Sequence, residues 1–91
     1  MYKLKLIELG IPADIKGFTY LNAALELYEP LTTSIIGLYR ALAHRHKTSK
    51  ASVERAIRQA IKHTGKNMTN GNFIATHKIL WGANNERQEI N

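Results

Sequence analysis

The sequence predicts an all-α domain, a small bundle of four to five helices that contains a helix-turn-helix. Apolar residues recur at helical spacing along several segments, polar residues able to cap a helix precede two of them, and single glycines or prolines separate them. The 91 residues suffice for one domain, and no cysteine is present to cross-link a smaller core. No segment approaches the roughly 20 apolar residues that span a bilayer, and no targeting segment is evident, so we expect a cytoplasmic protein.

The first two elements are separated by a predicted turn. Residues 2–9 begin with strand-like alternation, yet they suit a short helix that stops at Gly10 equally well, so both interpretations stay open. Residues 11–17 form a loop or turn bounded by glycine and proline. The next helix runs from Phe18 to Glu29 and ends there because a proline follows. Its predicted buried stripe is Leu21, Ala24, Leu25 and Tyr28.

Three further helices are predicted downstream. The third begins in the polar cluster 32–34, any residue of which can act as the N-cap, and runs to about His46. The fourth has Ser49 as its N-cap and is closed by Gly65, and the fifth covers residues 70–81. The three predicted stripes are Ile35, Leu38, Tyr39 and Leu42; Val53, Ala56, Ile57, Ala60 and Ile61; and Phe73, Ile74, His77, Leu80 and Trp81.

The third and fourth helices form a helix-turn-helix candidate over about residues 33–63, with residues 50–63 as the recognition helix. The connection between them has only about three residues. If Val53 is the buried residue early in the second helix, the small residue Ala43 lies ten positions before it, where the two helices must approach closely. The turn departs from the usual pattern, because Lys47 and Thr48 stand where a glycine and an apolar residue are more common.

The basic charge of the chain is concentrated in this pair of helices. The formal net charge is +6, with 13 lysine and arginine residues against 7 acidic ones. Residues 37–66 hold eight cations and one carboxylate, a net charge of +7, whereas the remaining residues hold five cations and six carboxylates, a net charge of −1. This distribution favours double-stranded DNA as the partner over a merely solvated lysine-rich surface. The candidate DNA-contacting residues are Lys50, Ala51, Ser52, Glu54, Arg55, Arg58, Gln59 and Lys62.

The outward face of the predicted recognition helix is small at its start and basic further on. Short side chains at the first turn let a helix lie deep in the major groove, arginine and glutamine reach base edges, and lysine reaches phosphates. Glu54 has two interpretations of equal weight: it accepts from a cytosine amino group, or it pairs with Arg58 four residues later.

Three stretches resemble a known family. Residues 8–21 (ELGIPADIKGFTYL), 52–61 (SVERAIRQAI) and 69–75 (TNGNFIA) are similar, in this order, to the C-terminal DNA-binding effector domain of the stage-zero sporulation response regulator, the sporulation initiation factor of spore-forming bacteria. The likeness extends from Leu6 to about Leu80. It implies an all-helical domain whose helix-turn-helix enters the major groove.

The resemblance also implies site residues and differences. Glu54, Arg55 and Arg58 match positions that touch DNA in the family, whereas Ser52 replaces an arginine and Gln59 a histidine, so the preferred bases are expected to differ. Residues 62–68 stand where the family continues its recognition helix and inserts another. The family assembles as tandem dimers through its C-terminal helices, which makes a homodimer on tandem sites a partner to consider. No receiver domain precedes the matching region in this sequence; if the chain is the whole gene product, we do not expect phosphorylation to be the switch, and an excised domain stays open as the alternative.

Other functions find less support in the sequence. No catalytic residues, metal ligands or cofactors are predicted, because Asp14 is the only aspartate and no glycine-rich phosphate loop is present. The four histidines are expected to be exposed or to face DNA. The alternative function is a non-enzymatic module that kept the fold, lost specific DNA reading and binds a protein partner; RNA binding is weaker, since no aromatic platform is evident. Residues 1–81 form the predicted domain and 82–91 a polar, flexible tail.

Overall fold

Five helices make up the computed structural model, which describes the chain over residues 2–90 and the side chains over residues 2–82. The helices are α1 (Lys3–Glu8), α2 (Lys16–Leu27), α3 (Ile35–Arg45), α4 (Lys50–Lys62) and α5 (Asn70–Ile90). No strand occurs over residues 2–90, so the predicted all-α bundle is confirmed and the opening segment is a helix. Within the same residues, no helix has the length and apolar character needed to cross a membrane.

Helix α2 is the centre of the bundle and packs against the other four helices. The four residues of its predicted stripe are all buried. The helix begins at Lys16, two residues earlier than predicted, and its last residue is Leu27, because Tyr28 already has an extended backbone. Phe18 and Tyr20 are buried as well, so α2 contributes more of the core than its predicted stripe.

The closest approach of two helices occurs where α2 crosses α4. Gly17 lies against the carbonyl oxygen of Ala56, and a Cβ atom at Gly17 would also be 2.7 Å from the Cβ of Ala60. Three small residues therefore let the two backbones touch. This contact fixes the position of α4, the predicted recognition helix, against the middle of the domain.

Helix α5 closes the core on the opposite side. Its buried residues Phe73, Ile74, His77 and Trp81 agree with the predicted stripe, but Leu80 is 53% exposed and its predicted burial is wrong. The buried positions follow four-residue steps from Phe73 through His77 to Trp81, and Leu80 lies beside this line. The indole of Trp81 stacks on Tyr2 at this end of the core, with ring centroids 6.0 Å apart.

The end of α5 also differs from the prediction. The helix was expected to stop at Trp81, yet it continues to Ile90, because no proline follows to interrupt it. Apart from Gly82, the predicted flexible tail of residues 82–91 lies outside the residues whose side chains are described, and its flexibility stays a prediction.

Candidate nucleic-acid interface

The turn between α3 and α4 is a left-handed helix-capping motif. The amide of Thr48 donates to the carbonyl of Ala43 at 2.9 Å, and the amide of Lys47 donates to the carbonyl of His44 at 3.3 Å. Lys47 has a φ of +54°, the left-handed region in which glycine is favoured. The position where the sequence lacks the usual glycine thus keeps the backbone conformation that glycine normally provides.

Serine side chains start both helices of the pair. The Oγ of Ser34 accepts from the amide of Gly37 at 2.9 Å, which selects Ser34 among the three predicted caps of α3. The Oγ of Ser49 accepts from the amide of Ser52 at 3.1 Å and confirms the predicted N-cap of α4. The same Ser49 hydroxyl donates to the Oγ of Ser52 at 3.0 Å, so Ser52 is held within the first turn of α4.

Helix α4 has a buried apolar face and an accessible polar face. Val53, Ile57, Ala60 and Ile61 are buried as predicted, and Ala56 is half-buried. Val53 is buried, as are Leu42 and Ala43 of α3, and α3 packs against α4, which agrees with the predicted helix-turn-helix spacing. The eight predicted DNA-contacting residues divide into exposed and half-buried ones: Lys50, Ala51, Arg55, Arg58, Gln59 and Lys62 are exposed, and Ser52 and Glu54 are half-buried. Their accessibility fits a binding face, and their contact with DNA stays a prediction.

Glu54 and Arg58 form an ion pair one turn apart on α4. This arrangement is the second of the two interpretations that the sequence left open for Glu54. Both side chains keep solvent-accessible area, so the guanidinium retains N–H groups that can reach another acceptor. An arginine whose direction is fixed by a carboxylate loses less conformational freedom on binding than a free one.

A polar contact that the sequence did not predict ties α5 to α4. The Nδ2 of Asn70, which is 8% exposed, donates to the backbone carbonyl of Glu54 at 2.9 Å. Asn70 also hydrogen-bonds the side chain of Tyr39 on α3, so one amide joins three helices. A signal for this contact in the sequence is Thr69, which precedes Asn70. The Oγ1 of Thr69 accepts from the amide of Asn72 at 3.2 Å and caps α5, so the side chain of Asn70 is not needed as a cap and is available for a tertiary contact.

The environment of Tyr39 keeps its hydroxyl protonated. Burial raises the pKa of Tyr39 above its ordinary value, and the negative charge of Glu54 acts in the same direction. The hydrogen bond from Asn70 and the charge of Arg58 lower the pKa of Tyr39 but do not outweigh the burial. Loss of the phenolic proton is therefore less favourable for Tyr39 than for an ordinary tyrosine.

An open cleft of about 530 Å³ lies between the second half of α4 and the start of α5. The cations at its edge include Lys66, which lies in the turn after α4 and was not among the predicted contact residues. The charge count of residues 37–66 included Lys66, but only the folded turn brings it beside α4. The residues that line the cleft are Tyr39, Glu54, Arg58, Ile61, Lys62, Lys66, Asn67, Met68, Thr69, Asn70 and Gly71.

The histidines do not share one environment: the expectation that they are exposed or face DNA fails for His46 and for His77, and the burial of His77 agrees instead with its place in the predicted stripe of α5. His77 is buried, with its Nδ1 2.8 Å from the carbonyl oxygen of Phe73. His46 is half-buried against the ring of Tyr20, with centroids 5.0 Å apart. His44 and His63 are exposed as predicted. Over the described residues, no three histidine, aspartate or glutamate side chains come together in a geometry that would hold a metal ion.

Comparison with known proteins agrees with this geometry. The family model described as "Sporulation initiation factor Spo0A C terminal" matches residues 3–79, which include α1 to α4 and the first half of α5. The chain belongs to this family. The resemblance seen in the sequence is thereby confirmed. No solved structure matches the chain.

Membership of the family decides the broad class of function. The family is a DNA-binding domain of a sporulation regulator and is not catalytic, which supports DNA-binding transcription regulation with double-stranded DNA as the partner. The matched residues include the whole helix-turn-helix and the cleft beside it. The accessible polar face of α4 is therefore the first surface to test for contact with DNA.

Proposed function

We propose that this domain is a sequence-specific transcription regulator that inserts α4 into the major groove of duplex DNA. The observation that carries the proposal is the outward face of α4, on which Arg55, Arg58 and Gln59 are exposed while the opposite face is packed in the core. Arginine and glutamine are the side chains that read guanine and adenine edges in pairs of hydrogen bonds. Ala51 and Ser52 at the first turn are short enough for close approach.

The positions of the polar residues suggest how the work is divided along α4. Arg55 and Arg58 are the proposed readers of base edges, with Glu54 fixing Arg58 or accepting from a cytosine. Lys50 and Lys62 stand at the two ends of the helix, where phosphates of the neighbouring strands are closest, and are the proposed phosphate contacts. Gln59 and Ser52, which differ from the family pattern, are expected to shift the preferred bases.

Selection from a random duplex pool, followed by sequencing at two salt concentrations, tests this function. We expect an enriched short motif that survives the higher salt, because base contacts are less sensitive to counterions than phosphate contacts. Arg55→Ala and Arg58→Ala should each lower affinity for the motif by about 5- to 150-fold, the equivalent of 1–3 kcal/mol for one bidentate contact.

The matched control is Lys3→Ala, which removes one exposed cation from α1 and leaves α4 intact. This variant should bind the motif like the unchanged domain. All variants should keep the same far-UV circular dichroism, since the three side chains lie outside the core. Unchanged affinity in both arginine variants would refute the assignment of α4 as the helix that contacts base edges.

A second candidate function is a non-enzymatic interaction module that kept the fold without specific DNA reading. The observation that favours it is the exposure of Ile79 and Leu80 on α5, two large apolar side chains without cover in the described part of the chain. The same surface suits a homodimer on tandem sites, in which case the enriched motif would contain a direct repeat. A flat selection together with one stoichiometric protein partner would favour the module. For either function we propose a cytoplasmic location.

A further inference from the structure

The cleft between α4 and α5 follows one flank of the proposed recognition helix. Glu54, Arg58 and Lys62 succeed one another at four-residue intervals and so form a row along this flank, and all three line the cleft. Lys66, one further interval along the chain, lines the same cleft from the turn that follows α4. The row therefore presents one carboxylate and three cations to a single elongated space.

Two of the cations along this row have no acidic partner among residues 2–82. Glu54 is paired with Arg58. Lys62 and Lys66 are both exposed, and no carboxylate of residues 2–82 pairs with either of them. Two neighbouring ammonium groups without acidic partners raise the potential of the cleft and attract an anion. Tyr39 lines the same space.

The turn that carries Lys66 has a fixed backbone. The Oγ1 of Thr64 donates to the carbonyl of Ile61 at 2.6 Å and accepts from the amide of Lys66 at 3.1 Å. Gly65 supplies the left-handed conformation, with a φ of +75°, and Met68 packs against the core. Because this backbone is already ordered, binding at Lys66 does not incur the entropic cost of ordering the turn.

The dimensions of DNA indicate which anion the cleft would meet when α4 lies in the major groove. The major groove is about 12 Å wide, and a helix with its side chains is about 10–12 Å across, so a helix in the groove has a sugar–phosphate strand along each flank. We propose that the α4–α5 cleft receives one of these strands, with Lys62 and Lys66 as ligands of its phosphodiester groups. This inference rests on the proposed function and adds to it a second, sequence-independent contact surface.

The experiment compares Lys62→Gln and Lys66→Gln with Lys3→Gln, which removes the same charge from α1. Affinity for a fluorescent random-sequence duplex and for the selected motif is measured over a series of NaCl concentrations. Each cleft variant should reduce the slope of log K against log salt by about 0.9, the value for one lost phosphate contact, and lower affinity about 8-fold at about 0.1 M salt. The loss should be equal for the two duplexes, and Lys3→Gln should change neither quantity.

The possible results separate this inference from the proposed function. If the unchanged domain binds the motif and both cleft variants behave like Lys3→Gln, the cleft assignment and the phosphate contact of Lys62 are wrong, while the reading of bases by α4 stands. If the unchanged domain binds no duplex, both the cleft assignment and the proposed function are refuted. Inorganic phosphate is the probe for a small-anion site: if it shifts the Lys66 amide resonance at millimolar concentration without displacing duplex, the strand assignment is overturned. Unaltered circular dichroism confirms that the glutamine variants are folded.

Discussion

Replacement of Gly17 by alanine tests the contact that positions α4. The added Cβ would overlap the carbonyl oxygen of Ala56 and lie 2.7 Å from the Cβ of Ala60, and both obstacles belong to the body of a helix rather than to a flexible side-chain end. Overpacking of a well-filled site costs about 1–3 kcal/mol, and a clash with backbone belongs at the upper end of that range or beyond it. The higher helix propensity of alanine offsets at most about 1 kcal/mol of this cost.

We therefore expect Gly17→Ala to lower the free energy of unfolding by about 2 kcal/mol, which corresponds to a fall in Tm of roughly 8–16 °C for a domain of this size. Urea titration followed by far-UV circular dichroism measures the first quantity, and a thermal scan the second. Gly82→Ala is the matched control, because Gly82 is also helical but has open space around its Cβ position. It should stabilise the domain by up to about 1 kcal/mol. Equal and stabilising effects at the two glycines would refute the close approach of α2 and α4.

Two further predictions concern the turn between α3 and α4. Lys47→Gly should raise the free energy of unfolding by about 0.5–1 kcal/mol, since relief of the left-handed conformation exceeds the extra entropy of an unfolded glycine; a Tm at or below that of the unchanged domain would contradict it. Ser49→Ala should lower the free energy of unfolding by about 1 kcal/mol because the amide of Ser52 loses its acceptor, whereas Ser49→Asp should restore it in the same urea titration.

The helices were predictable because their signals are local. Ser49 caps α4 through a contact with a residue three positions away, and Val53 and Ile57 are buried at the spacing of one helix turn. Such signals need no knowledge of the rest of the fold. Leu80 was less predictable: its spacing of seven from Phe73 fits the stripe of α5, but the buried positions continue from Phe73 through His77 to Trp81 in steps of four.

The parts of the candidate site that sequence reasoning missed depend on contacts between distant segments. Asn70 bonds a carbonyl sixteen residues away, at Glu54, and nothing in its own neighbourhood specifies that partner. The cleft likewise requires the turn at Gly65 to bring Lys66 beside Lys62. Contacts of this kind arise from packing of whole helices, for which spacing within one helix carries no information.

The determinants of the position of α4 are separate from the proposed determinants of what it reads. The close approach at Gly17, the burial of Val53 and the bond from Asn70 to the backbone of Glu54 all act on the inner face or the backbone of α4. None of them involves the outward positions 52 and 59, at which this chain differs from the pattern of its family. Substitution there changes the donors and acceptors offered to a base edge while the helix stays in place. A domain built in this way can retain the fold and the docking geometry of its family while its preferred DNA sequence changes.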